Sequence, residues 1–268
     1  MLKNITIGQY IPGNTFIHRL DPRTKIILSI IFIISLFIIT NFSGYIFIFA
    51  FILISILISK IPISYILKGL KPIIIILLLT VTLNIFFTPG GTILFSIGAL
   101  KITVNGFKLA VFMGLRLIFL IVGTSLLTLT TSPIALTDGI ENLLNPFKKI
   151  GVPAHELAMM MTIALRFIPT LLEETEKIMK AQIARGADFE SGNLIKRAKN
   201  LVPLLVPLFI SAFRRADELA IAMEARCYRG GVNRTKMKQL KMQTIDFTAI
   251  IITIFFVIIL IWNRFWIW

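Results

Sequence analysis

The chain has 268 residues, of which 56% are hydrophobic and only 15% are charged, and its net charge is +15. Soluble domains carry about 25% charged residues, and no acidic residue occurs between Asp21 and Asp138, so the composition excludes a soluble globular protein. A basic excess in a soluble chain would indicate nucleic acid binding, but in a membrane protein it marks cytoplasmic loops and contact with anionic lipid. The single cysteine, Cys227, excludes an intrachain disulfide.

Five apolar segments are predicted to span the membrane as helices, because each approaches the roughly 20 apolar residues that a bilayer requires. They comprise residues 26–40, 45–59, 72–87, 106–130 and 245–261. Residues 41–44 are predicted to form a tight turn between the first two spans. Asp21 is predicted to cap the first helix, with Pro22 at its first position.

The distribution of Lys and Arg predicts the orientation of the spans. Four basic residues precede the first span, three lie between the second and third, and seventeen lie in residues 132–243. The other side holds Lys101 and Arg264, with Lys108 near the boundary. Because basic residues concentrate on the cytoplasmic side, we expect the N-terminus and the long segment in the cytoplasm and the C-terminus outside.

Residues 132–243 are predicted to form a cytoplasmic helical region with one short amphipathic helix and two long helices. The second long helix contains a 13-residue apolar stretch, residues 201–213, interrupted by Pro203 and Pro207. This stretch is too short to span a bilayer, so we expect it to lie along the membrane or against a partner protein. The predicted contact residues are Leu201, Leu204, Leu205, Leu208 and Phe209.

The two long helices are predicted to finish alike. The first ends with Ala184, Arg185 and Gly186, the second contains Ala225, Arg226 and Cys227 before Gly230, and the two arginines are 41 positions apart. An arginine followed by a small residue is typical of a helix end. A guanidinium is also a good anchor for a carboxylate or carbonyl cluster on another protein. The sequence leaves both interpretations open.

Several kinds of chemistry are missing from the sequence. No Gly-x-x-x-x-Gly-Lys-Ser/Thr motif occurs, so ATP hydrolysis is expected elsewhere. The first four predicted spans contain no carboxylate, and the fifth has only Asp246 at its edge, which argues against a proton-coupled carrier. Arg116 is the one charge well inside a span. It is expected to bond to polar groups of the third span, such as Thr80, Thr82 or Asn84, or to reach the interface, and a functional role is the alternative.

The chain resembles EcfT, the transmembrane component of energy-coupling factor transporters, over nearly its whole length. The resemblance rests on five segments, at residues 8–13, 18–25, 164–169, 181–189 and 222–230. It implies that the two helix ends belong to crossed coupling helices and that each docks in a groove of one of two ATPase subunits. Arg185 and Arg226 match the arginines of that motif. The second motif departs from the family at Cys227, where glycine is usual, and we expect docking to survive because the residue is still small.

The resulting prediction is an all-α membrane protein with about five spans, a cytoplasmic-side amphipathic helix and two long crossed coupling helices. The predicted domains are residues 1–131, 132–243 and 244–268. The resemblance implies a non-catalytic subunit in the bacterial cell membrane that transmits the motion of two ATPases, expected to be two different chains, to a vitamin-capturing S component. No cofactor or metal is expected in this chain, since the ATPases bind ATP, and no nucleic acid partner is expected. The alternatives are a self-sufficient secondary transporter, a lipid transferase and a component dedicated to one substrate such as cobalt, nickel or biotin.

Overall fold

The computed structural model describes residues 10–97, 100–189, 191, 193–231 and 239–266. The chain divides into two compact units. Among the described residues, the first unit comprises 10–139 and 239–266, and the second comprises 140–189, 191 and 193–231. These divisions, at 139/140 and 238/239, lie eight and five residues from the predicted domain boundaries at 131/132 and 243/244, which stay predictions.

The first unit is a bundle of apolar helices with one small hairpin. Its helices are α1 (Phe16–Arg19), α2 (Pro22–Ile38), α3 (Phe42–Ser59), α4 (Ile63–Leu70), α5 (Ile74–Phe87), α6 (Val104–Thr130), the start of α7 (Pro133–Leu144) and α10 (Thr244–Trp266). A 3-10 turn over Lys71–Ile73 joins α4 to α5. Strands β1 (Ile93–Ile97) and β2 (Leu100–Thr103) pair antiparallel before α6. The sequence did not predict this hairpin, because its two strands are short.

Helix α6 is central to the first unit and packs against α2, α3, α4 and α5. A close approach occurs at Gly123 of α6, where an added Cβ would lie 2.3 Å from Cε1 of Phe32. Phe51 of α3 and Phe256 of α10 stack with ring centroids 4.2 Å apart. In lipid, the hydrophobic effect does not drive helices together, because the lipid tails are as apolar as the side chains. Helices there associate mainly through small residues and van der Waals packing. The predicted helices thus pack through steric fit.

The start of α2 confirms the predicted Asp21 cap, whereas the turn after α2 differs from the predicted one. Asp21 caps α2 by accepting a hydrogen bond from the backbone N of Arg23 at 2.9 Å, and Pro22 begins the helix. The predicted turn at 41–44 is shorter, because α3 already begins at Phe42. Gly44 lies inside this first turn, where an added Cβ would be 2.7 Å from Ile39 Cγ2. Glycine therefore serves close packing here.

The second unit contains two long helices, α8 (Ala154–Ala184) and α9 (Leu194–Ala225), preceded by a 3-10 segment over Asn145–Ile150. Pro169 lies inside α8, and Pro203 and Pro207 lie inside α9. Helix α9 ends at Ala225. Its end is predicted near Gly230, five residues later. The predicted pair of long helices is confirmed.

Five helices among the described residues are long and apolar enough to cross a membrane: Phe42–Ser59, Ile63–Phe87, Val104–Thr130, Ala154–Ala184 and Thr244–Phe265. Four of them coincide with predicted spans. The fifth, Ala154–Ala184, is the least apolar of the five and carries three glutamates in its second half. Helix α2, the first predicted span, has 17 residues. The chain is therefore an all-helical, multi-pass membrane protein apart from its small hairpin.

Candidate docking site at two matched helix ends

Helices α8 and α9 end with the same backbone hydrogen bonds. At the first end, the N–H groups of residues 185 and 187 both reach the carbonyl of Gln182, and Gly186 N reaches Ile183 O at 2.9 Å. At the second end, the N–H groups of residues 226 and 228 both reach the carbonyl of Met223, and Cys227 N reaches Glu224 O at 2.8 Å. Every residue of the second set is the first set's residue shifted by 41, so the two ends are structurally equivalent.

The equivalence depends on a left-handed backbone at one position of each end. Gly186 has φ +87° and Cys227 has φ +55°. Glycine adopts this conformation without a Cβ clash, whereas other residues do so at a cost. Docking is expected to survive at Cys227 because the residue is small. Cys227 adopts the left-handed conformation as well, so the two helix ends keep the same backbone geometry.

All six residues of the two predicted docking motifs are exposed: Ala184, Arg185, Gly186, Ala225, Arg226 and Cys227. Each arginine is the residue at which its helix ends. A helix end carries partial negative charge from its free carbonyls, and an arginine there is favourable. The side chains are exposed to solvent, and the helix ends fix the backbone positions from which they extend.

An ion pair joins the two helices at matching positions. Arg215 donates to a carboxylate oxygen of Glu174 at 2.8 Å, and these residues are also 41 positions apart. Each therefore lies 11 residues before the arginine that ends its helix, about 16 Å along the helix axis. The side chain of Gln182 also donates to Pro203 O at 3.5 Å. Since a late residue of α8 meets an early residue of α9, the helices run antiparallel.

The second end is braced by residues that sequence reasoning did not identify. His155, at the start of α8, contacts Glu141 Oε1 at 3.0 Å and the Tyr228 hydroxyl at 3.2 Å. Tyr228 also contacts Met159 Sδ at 3.0 Å. An added Cβ at Gly231 would lie 2.5 Å from the His155 ring. The chain directly after Arg226 is thus packed on the beginning of α8, a contact between residues over 70 positions apart that no local pattern indicates.

The predicted apolar contact surface on α9 is largely exposed. Leu201, Leu205 and Phe209 are exposed, with Phe209 at 61%, whereas Leu204 is buried at 8% and Leu208 is half-buried. The exposed surface extends beyond the predicted residues to four others on the same helix: Val202, Val206, Ile210 and Phe213. An exposed apolar face of this extent indicates contact with lipid or another protein.

A buried polar network in the first unit explains the motif at residues 18–25. Asp246 is 1% exposed; its carboxylate accepts from Asp21 N at 2.7 Å and from Gln243 N at 2.8 Å. Lys25 donates to the carbonyls of His18 at 3.2 Å and Thr130 at 2.9 Å. These bonds tie α1, α2, the end of α6 and the start of α10 together, which confirms the structural interpretation of Asp21.

His18 holds the segment before α1 in place. Its Nε2 donates to Ile11 O at 3.1 Å, and Thr15 Oγ1 lies 2.6 Å from its Nδ1. Burial lowers the pKa of His18, with the nearby Lys25 acting in the same direction and the bond to Ile11 opposing it. A neutral ring fits this geometry, because one nitrogen donates and the other accepts.

The expected bond of Arg116 to polar groups of the third span is wrong, and nothing tests the other expectation, that the side chain reaches the interface. Arg116 donates to Ile39 O at 3.3 Å, at the end of α2. Thr80 and Asn84 instead bond to carbonyls of their own helix. Their side chains lie within reach of the preceding turn, which satisfies them locally.

Comparison with known proteins supports the resemblance. A family model described as CbiQ, cobalt transport protein, matches residues 13–237. The chain is 66% identical to the energy-coupling factor transporter transmembrane protein EcfT of Clostridium kluyveri over 267 residues, which is 99% of each chain. The chain belongs to the CbiQ/EcfT family. The EcfT proteins of Thermosediminibacter oceani and Bacillus subtilis are 65% and 51% identical to it, over 94% of this chain and 95% of each relative.

Family membership confirms the predicted role as the non-catalytic transmembrane component of an energy-coupling factor transporter. It sets aside a self-sufficient secondary transporter and a lipid transferase. The roles of individual residues rest on the geometry described above.

Proposed function

We propose that the chain transmits ATP-driven motion from two ATPase subunits to a separate substrate-capturing membrane protein. The ends of α8 and α9 dock one ATPase subunit each. Closure of the ATPases on ATP, which they alone bind, moves both helices, and the apolar face of α9 passes the movement to the substrate-capturing protein. Vitamin or another micronutrient is then released into the cell.

One observation carries this proposal: two exposed arginines end two helices with the same hydrogen bonds and lie equally far from a shared ion pair. Two equivalent ends on one chain suit two related partners, which is what a pair of ATPase subunits offers. A single isolated helix end would support no such pairing.

The apolar face of α9 is proposed to hold the substrate-capturing protein. Its exposed leucine, valine and phenylalanine side chains can pack on apolar helices of another membrane protein, with no polar group to satisfy. This division of labour predicts that the helix ends and the apolar face can be disrupted separately.

The proposed orientation places the N-terminus and the second unit in the cytoplasm and the C-terminus outside, in the bacterial cell membrane. The excess of Lys and Arg before the first span and in residues 132–243 supports it. Only this orientation exposes the helix ends to ATPases that use cytoplasmic ATP.

Substitution of the two arginines tests the docking proposal. Arg185→Ala and Arg226→Ala should each weaken ATPase binding by roughly 2 kcal/mol, as expected for a desolvated, charge-paired hot spot. The double variant should lose ATPase in pull-down and lose uptake, while lysine at either position should restore little, because it lacks the planar fork. The matched controls are Lys180→Ala and Arg214→Ala, exposed cations on the same two helices.

A well-expressed double variant that assembles and transports normally would reduce the two arginines to helix ends, with effects near 1 kcal/mol or less.

The apolar face is tested in the same system. Leu205→Asp with Phe209→Asp should release the substrate-capturing protein and keep the ATPases. Ile195→Asp, at an exposed apolar residue of the same helix outside the face, is the control and should release neither.

A second candidate is a component dedicated to a single substrate, which the family model's description as a cobalt transport protein favours. Purification of the chain in mild detergent distinguishes the two. Several different small membrane proteins co-purifying with two ATPases would indicate a shared component, and one constant partner would indicate a dedicated one.

A further inference from the structure

Arg116 is a cation inside a membrane-spanning helix, and none of the described residues that contact it is a carboxylate. It lies 12 residues into α6, and the sequence between Asp21 and Asp138 contains no Asp or Glu. Asp21 and Asp246 are near each other at the start of α2, whereas Arg116 bonds to Ile39 at its other end. About 18 residues of chain, roughly 25 Å of helix, separate the two places. The charge of Arg116 is therefore not balanced by these two acids.

The contacts of Arg116 leave much of its donor capacity unused. A guanidinium has five N–H donors. One nitrogen donates to Ile39 O at 3.3 Å, another lies 4.0 Å from Met113 Sδ, and the group lies 5.3 Å from the Phe37 ring centroid. The Nε atom is buried without a hydrogen-bond partner among the described residues. All of these contacts are neutral, although arginine binds anions most strongly.

Arg116 lines an open cleft of about 350 Å³ together with a second cation, Lys108. The ammonium of Lys108 lies 6.0 Å from the centroid of the Phe112 ring. Phe112 is one helical turn after Lys108 and one turn before Arg116. The remaining polar lining residues are Thr40 and Asn105, which can donate hydrogen bonds, and none of the lining residues that the structure describes is acidic. Its described lining thus combines two positive charges with neutral donors.

We propose that this cleft binds the phosphate of a phospholipid headgroup. A phosphate matches the planar fork of a guanidinium, with which it forms two parallel hydrogen bonds, and it would supply the missing negative charge. The surroundings suit a lipid: Phe37, exposed at 59%, and Leu109 offer apolar surface beside the cations. With the proposed orientation, the lipid belongs to the outer leaflet.

A purely structural role for Arg116 is the rival explanation. Arg116 and Arg264 each donate to a carbonyl at the end of α2, to Ile39 at 3.3 Å and Ile38 at 3.2 Å, and cations there favour the helix dipole. Arg264 does not line the cleft. Arg264→Gln is therefore a matched control, since it removes a similar bond at the same helix end and leaves the cleft intact.

The test measures lipid binding to the full chain, purified and delipidated in a maltoside detergent, by native mass spectrometry. The probes are phosphatidylglycerol, diacylglycerol with the same acyl chains, and inorganic phosphate. The wild-type chain should bind phosphatidylglycerol and retain little diacylglycerol. Arg116→Gln should weaken phosphatidylglycerol binding about tenfold or more, and Lys108→Gln about threefold, as expected for lost charge-assisted contacts. Arg264→Gln should leave the affinity within about twofold of wild type.

Several results would overturn the proposal. Equal affinity of the Arg116→Gln and Arg264→Gln variants would reduce Arg116 to a helix cap, and equal binding of diacylglycerol would remove the phosphate from recognition. Inorganic phosphate bound as tightly as the lipid would assign the cleft to a free anion. A transporter complex that excludes the lipid would assign the cleft to a partner protein. Lys108 is exposed, so its variant decides the matter if Arg116→Gln fails to fold: unchanged affinity would refute the proposal.

Discussion

Glu174 and Arg215 pair across α8 and α9 at 2.8 Å, and each lies 11 residues before the arginine that ends its helix. The distance from this ion pair to the end of the helix is therefore the same on α8 and on α9. An arrangement of this kind can deliver a movement at either helix end to the same place in the protein.

Breaking this pair should affect coupling more than stability. Its side chains are 24% and 37% exposed, and such a pair contributes about 1 kcal/mol or less. Glu174→Gln and Arg215→Gln should therefore leave assembly intact and lower uptake per ATP hydrolysed. Exchange of the charges, Glu174→Arg with Arg215→Glu, should recover much of the loss, a non-additive result typical of contacting residues. Unchanged uptake per ATP hydrolysed in both single variants would show that the ion pair has no role in coupling.

The left-handed residues at the two helix ends should respond to substitution in opposite directions. Gly186→Ala adds a Cβ at φ +87° and should destabilise its helix end by about 1 kcal/mol. Cys227→Gly relieves the same conformation at φ +55° and should stabilise the second end by a similar amount. Cys227→Ser keeps the conformational cost and is the control for loss of the thiol. Denaturant unfolding of the purified chain measures all three, and equal stability of Gly and Ser at position 227 would contradict the prediction.

Asp246 should be more sensitive to truncation than to loss of charge. It is almost fully buried, and both carboxylate oxygens accept backbone hydrogen bonds, from Asp21 and Gln243. Asp246→Ala leaves these two donors without partners, at a cost of about 1–3 kcal/mol for each that stays buried. Asp246→Asn keeps one acceptor oxygen and should lose less. Thermal unfolding of the two variants gives the comparison, and an equal loss would show that charge balance with Lys25 dominates.

The native cysteine provides a test of docking without mutation. Cys227 is the chain's single cysteine and is exposed within the second docking motif. A maleimide should modify it in the purified chain and react at least about tenfold more slowly when the ATPases are bound, as expected for a residue at the buried centre of an interface. Unchanged reactivity in the complex would place the ATPases elsewhere.

Orientation follows from the same reagent in intact cells. A membrane-impermeant maleimide should leave native Cys227 unmodified and should label Thr92→Cys introduced in a Cys227→Ser background. Thr92 is exposed next to the hairpin. The reverse labelling pattern would place the helix ends outside and remove the basis for ATPase docking.

The sequence alone determined which segments are apolar helices and where several of them begin and end. Hydrophobic runs, the Asp21–Pro22 cap and the residues after Ala184 and Ala225 are local signals, because a helix and its ends are governed by neighbours within one or two turns. The composition also excluded a soluble protein, and the motifs at residues 181–189 and 222–230 pointed to the family. These inferences needed no knowledge of what lies across the fold.

The tertiary structure decided which distant residues meet. The sequence suggested Thr80 or Asn84 for Arg116, yet its acceptor is Ile39, because a long side chain bonds to whatever the packing of α6 on α2 brings near it. The ion pair between Glu174 and Arg215, the brace of His155 on Tyr228 and the burial of Leu204 depend likewise on how helices pack. Local patterns specify faces and ends, whereas packing, which is settled by steric fit over the whole unit, selects the partners.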